Sequence, residues 1–138
     1  MASTIPKQVK VELTDRFLPA VETTWKVALY GINFVYDPAT HIHYADINAA
    51  WELPNGSGYA TGGATLANRT STQVGVTAVL DADDRSWTAA SFTVYWAVVY
   101  DTTSGHIRGV YDLSGPITVT AGTFTIIWDV ANGLIKIS

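Results

Sequence analysis

Three histidines and twelve carboxylates are the groups in this 138-residue chain that could hold a metal or move protons. His41 and His43 stand two apart in Thr-His-Ile-His-Tyr, so on a strand they would point the same way. With Asp37 or Asp46 they form a donor set that suits zinc. A bare His-x-His is also common at the polar end of a strand, and that plainer reading is preferred. Asp81-Ala82-Asp83-Asp84 resembles the start of a calcium loop, but such a loop needs a distal bidentate Glu and none follows in the chain. A turn after a strand ending near Leu80, with Asp side chains accepting from local amides, is the expectation there.

The other catalytic patterns are incomplete. Gly56-Ser57-Gly58 lacks the spacing of a nucleophile elbow. His106 has no nucleophile tied to it by sequence, and Glu12, Glu22 and Glu52 form no pair suited to glycoside hydrolysis. Tyr59-Ala60-Thr61-Gly62-Gly63-Ala64 carries glycines without the Lys of a phosphate-binding loop. Asn68-Arg69-Thr70 matches a glycosylation sequon, incidental in a chain that opens without a secretion signal. The expectation is a non-enzymatic protein with no cofactor and no resident metal.

The elements that would position these groups are strands. Thr occurs eighteen times and Val, Ile, Tyr and Trp are plentiful, all suited to a pleated, half-buried surface. Alternation predicts strands over Thr24–Gly31, Val74–Leu80, Phe92–Asp101, His106–Asp112, Ile117–Thr120 and Thr123–Trp128. An Asn132-Gly133 turn then returns the chain through Leu134–Ile137. Phe92–Asp101 is apolar on both faces, which predicts a central strand or one whose second face is covered. The fold class is therefore all-β: an antiparallel sandwich or jelly-roll-like barrel over residues 24–138. Residues 1–23, with Pro6 and Pro19, read as an extended N-terminal arm with a strand at Gln8–Val11 and a helical turn near Leu13–Leu18. Residues 53–69 form a long glycine-rich loop, and long loops in compact domains are commonly functional.

Composition narrows the partners. With no cysteine, disulfides and thiolate sites are excluded. The net charge of −4 argues against a general nucleic-acid binder, and no apolar run is long enough for a membrane helix. The arm is neutral, so residues 24–138 carry the whole of that charge. Of the five tryptophans, Trp25, Trp96 and Trp128 occupy alternating apolar positions and are assigned to the core. Trp51 and Trp87 lie near loop-rich sequence and are assigned, with Tyr59, to partner contact, since Trp and Tyr are enriched at interfaces. Ile5, Val9, Val11 and Phe17 are the apolar anchors of the arm.

Four segments taken in order resemble a family of small virion proteins of tailed bacteriophages. They are Trp25-Lys26-Val27-Ala28-Leu29, Gly56 through Asn68, Asp81 through Thr88, and Phe124 through Trp128 with Asn132-Gly133-Leu134. The resemblance covers roughly residues 24–138 and implies a particle component, with a capsid decoration (cement) protein as the leading assignment. It implies binding to the major capsid protein and to neighbouring copies of the chain, with a trimer the first expectation, and location on the capsid surface. A neck, tail or fibre-base protein is the alternative within the virion, and a carbohydrate-binding module using Trp51, Trp87 and Tyr59 the alternative outside it. Related sequences open with a short helix leading into the Lys-Val-Ala-Leu strand, whereas residues 1–23 here read as more extended.

Overall fold

A computed structural model of the chain describes residues 24–68, 70–74, 77–128 and 135–137. The expected arm, its anchors Ile5, Val9, Val11 and Phe17, and the Asn132-Gly133 turn lie outside the described residues. The described part is mostly strand, and its helical elements are two three-residue 3-10 turns at Tyr44–Asp46 and Ala49–Trp51. Among the described residues no helix is long and apolar enough to cross a membrane.

The chain groups into two compact units. The larger, residues 24–66 and 85–126, is an antiparallel sheet ordered β2-β1-β5-β6. Here β1 is Trp25–Tyr30, β2 Ala64–Thr65, β5 Arg85–Asp101 and β6 Ile107–Ile126. The smaller includes described residues within 67–84 together with 127–128 and 135–137, and holds β3 (Thr70–Val74), β4 (Thr77–Asp81) and β7 (Ile135–Ile137), ordered β3-β4-β7 and also antiparallel.

The segment expected to be central is central. β5 lies between β1, in register from Trp25↔Asp101 to Tyr30↔Trp96, and β6. Its C-terminal part is buried throughout, with Ala97, Val98 and Val99 at most 1% exposed. That burial on both faces explains why no polar alternation marks the segment. β5 also reaches back to Arg85, and the three short strands expected over 106–128 are one 20-residue strand. Gly115-Pro116 and Gly122 read as strand breaks in the sequence. In the fold they mark irregularities in the β5–β6 ladder, where the register shifts between Val94 and Trp96 and between Trp87 and Phe92. Bulges absorb residues that would otherwise end a strand, and Pro is tolerated because β6 is the last strand of its sheet.

One core cluster joins Ala28, Tyr30, Phe34, Ile47, Val98 and Tyr100. Phe34 lies at its aromatic centre, with ring centroids 4.9 Å from Tyr30, 5.2 Å from Trp96 and 6.2 Å from Trp51. The 31–51 segment thus supplies Phe34 and Ile47 to pack on β1 and β5. Farther along the ribbon, Trp87, Phe92 and Phe124 pack together at centroid distances of 5.6 and 5.8 Å.

Candidate functional site

Residues 51–53 run beside the end of β1. Gly31 N donates to Trp51 O, Leu53 N donates to Leu29 O, and Tyr30 bridges Glu52. This places the Glu52 carboxylate, 8% exposed, among the phenols of the sheet. Oε1 accepts from Tyr59 Oη at 2.5 Å and from Gly62 N at 2.8 Å, and Oε2 accepts from Tyr44 Oη at 2.5 Å. Tyr100 stacks on Tyr44, centroids 4.3 Å apart, and donates to Gly62 O. Tyr59 Oη also accepts from Leu29 N at 3.1 Å. A buried carboxylate with this many donors is well compensated for lost hydration. Burial, with Glu52 adding to it, raises the Tyr30, Tyr44, Tyr59 and Tyr100 phenols above the ordinary tyrosine range, Tyr100 to about 12.

The network closes the glycine-rich loop onto β1. Gly56 and Tyr59 exchange backbone hydrogen bonds in a tight turn, and Gly58 packs so closely that a Cβ would come 2.8 Å from Ala90 Cα. The loop therefore turns Tyr59 inward, 3% exposed, and leaves Pro54 to Gly58 outside. Tyr59, expected as a partner contact, instead turns its hydroxyl inward to Glu52 and Leu29. Trp87 is corrected in the same way: it is 5% exposed and packs on Phe124. Trp51 is half-buried, edge-on to Phe34 and His41. Of the tryptophans assigned to the core, Trp25 and Trp128 are buried, while Trp96 is only partly covered.

Five large apolar side chains are exposed among the described residues; one is Ile127, 74% exposed, and the other four come from a single loop. Ile32 is 71% exposed, Val35 65%, Ile42 49% and Tyr36 36%, all within residues 32–42. Beside them, Tyr36, Trp96, Ile107, Arg108, Gly109 and Val110 line an open cleft of about 360 Å³. Arg108 pairs with Asp101 at 3.5 Å and lies over the Trp25 ring at 5.9 Å. Burial pushes the Asp101 carboxyl up, but the Thr103 and Ser104 amides and Arg108 outweigh it and hold the group below the usual range. The signal for the exposed segment was present: Ile32, Phe34, Val35 and Tyr36 fall close together without the alternation of a strand.

Compared with known proteins, the chain matches no family model, no curated protein and no solved structure.

His41 and His43 lie in a loop and not on a common strand face. His41 is buried among Phe34, Tyr36 and Trp51, and its Nδ1 accepts from Asp37 N at 3.0 Å. His43 faces away to His106 and Asp46. Among the described residues no three His, Cys, Asp or Glu side chains converge on a metal position. In the smaller unit Asp81, Asp83 and Asp84 are taken up by Ala82 N, Asn68 Nδ2 and Trp128 N. Only Asp81 makes the local backbone contact expected of a turn; Asp83 and Asp84 are reached by Asn68 and Trp128, 15 and 44 positions away.

Proposed function

We propose that the chain is a non-enzymatic structural protein of a tailed-bacteriophage virion, which decorates the head by binding the major capsid protein. The observation that carries this reading is the apolar surface of residues 32–42. Ile32, Val35, Tyr36 and Ile42 are held outward by a loop whose other members, Phe34 and Ile47, are anchored in the core. Apolar side chains held in solvent forgo the free energy of burial, whereas a subunit that adds to a lattice recovers it by covering them. The sequence resemblance over residues 24–138 supplies the virion setting. In this reading residues 24–138 are a β-sandwich or jelly-roll-like domain that associates with its own copies, a trimer being the first expectation. Residues 1–23 form an arm able to span about 75–80 Å if extended, enough to reach a neighbouring subunit. Strand addition by such an arm would contribute main-chain hydrogen bonds at many equivalent positions.

Mixing the purified chain with undecorated shells of the major capsid protein and counting bound copies tests the proposal. Hundreds per particle support decoration, and six or twelve move the protein to the neck, tail or fibre base. Absence of binding removes the reading. Deletion of residues 2–20 should abolish binding while leaving a folded body.

The cleft favours one second reading, a carbohydrate-binding module. Trp96 and Tyr36 are partly exposed aromatic rings beside the planar Arg108 guanidinium, a combination suited to stacking against a sugar face. Glycan-array binding that Trp96→Ala abolishes would favour it over decoration.

A further inference from the structure

His43 and His106, sixty-three positions apart, form an isolated antiparallel bridge. Tyr44 N donates to Gly105 O at 2.8 Å and Ile107 N to Ile42 O at 2.9 Å, one hydrogen bond on each side of the pair. That pattern makes His43 and His106 a non-hydrogen-bonded pair, the arrangement that brings cross-strand side chains closest. Their ring centroids are 4.5 Å apart with the planes tilted by 40°. Both side chains are partly exposed. Asp46 Oδ2 lies 3.3 Å from His43 Nδ1 and accepts from the backbone N–H of His43 at 2.8 Å and of Ile42 at 3.2 Å.

We propose that His43 and His106 together bind a divalent, imidazole-preferring metal ion such as zinc, which clasps the 37–47 loop to the turn between β5 and β6. Metal–nitrogen bonds of about 2.0–2.1 Å at a tetrahedral angle place two nitrogens about 3.3 Å apart. Ring centroids 4.5 Å apart are close enough for one nitrogen of each ring to share an ion. Asp46 supplies the outer-shell partner such sites use: with the Nδ1 proton directed to the carboxylate, Nε2 presents its lone pair. The backbone amides of His43 and Ile42 fix the carboxylate in turn. Water completes the coordination, so two protein ligands suffice for a modest-affinity site where three do not converge. His41 takes no part, because its ring is buried and its Nδ1 is occupied by Asp37 N. The clasp is independent of the decoration reading, although it would steady Ile42, one of the exposed apolar side chains.

The test uses the full chain without a histidine tag. Zn²⁺ should raise the Tm by about 3 °C, reversibly with chelator, and His43→Gln or His106→Gln should each remove the rise. Nickel added to the wild-type chain should broaden the NMR signals of both rings before that of His41, a readout that needs no variant. An unchanged Tm, a rise that persists in both variants, or broadening centred elsewhere would overturn the proposal.

Discussion

The Tyr59 hydroxyl donates to Glu52 Oε1 at 2.5 Å and, through that bond, fixes the glycine-rich loop against β1. The same oxygen accepts from Leu29 N, so Tyr59→Phe leaves a buried amide without its partner and should cost about 1–2 kcal/mol. Glu52→Ala strands the Tyr44 and Tyr59 hydroxyls and Gly62 N together, and should cost about 3 kcal/mol or more. Urea denaturation of both variants checks the order, which should be Glu52→Ala below Tyr59→Phe below wild type.

Alkali should act through the same cluster. Tyr30, Tyr44, Tyr59 and Tyr100 have folded pKa values above the ordinary value near 10. A raised folded value contributes stability that is complete below the unfolded pKa and is lost as pH rises through the folded one. Stability should therefore decline above about pH 10, and the phenolate absorbance of these four rings should appear with unfolding rather than before it.

Asp101 predicts the opposite limb. Its folded pKa is lowered, so its contribution is present above the unfolded value near 3.9 and fades as pH falls through the folded one. Asp101→Asn should lower stability at neutral pH and flatten the loss on acidification below about pH 4. Paired acid-unfolding curves of the two proteins measure this.

Backbone space separates two glycines of the loop. Gly63 has φ +86° and lies against the Val27 backbone, where a Cβ would overlap the carbonyl oxygen. Gly56 has φ +114° with open space around it. Gly63→Ala should destabilise by about 3 kcal/mol or prevent folding, while Gly56→Ala should cost about 1 kcal/mol from conformation alone. Thermal unfolding of the pair distinguishes close packing from strain.

The exposed segment should separate stability from binding. Ile32→Ser and Val35→Ser remove side chains that are 71% and 65% exposed, so each should change stability by no more than about 0.5 kcal/mol. The double variant should nevertheless lose binding to capsid shells, measured as copies retained per particle. Full occupancy by the double variant would remove the observation on which the decoration reading rests.

Much of the β character was legible because it is local. A Thr-rich, β-branched and aromatic composition with short alternating runs placed β1, most of β4 and the core of β5, and apolar residues on both faces marked β5 as interior. Gly115-Pro116 and Gly122 misled for an equally local reason, since turn chemistry and bulge chemistry use the same residues. The run over residues 32–36 was legible as apolar and non-alternating, but which of its side chains, and which side of other segments, face outward was not. Tyr59 and Trp87 looked available because their neighbours are small and polar, yet each turns inward to a partner distant in sequence.

What the amino-acid sequence determined by itself, then, was the all-β class, the central strand and the inward placement of Trp25 and Trp128. Tertiary structure alone decided that Glu52 gathers Tyr44, Tyr59 and Gly62, that Trp96 opens onto a cleft, and that the partner of His43 is His106 rather than His41. The physical reason is the range of the interaction. Side-chain alternation reports which residues share a face, but the register between strands and the closure of loops decide what covers that face.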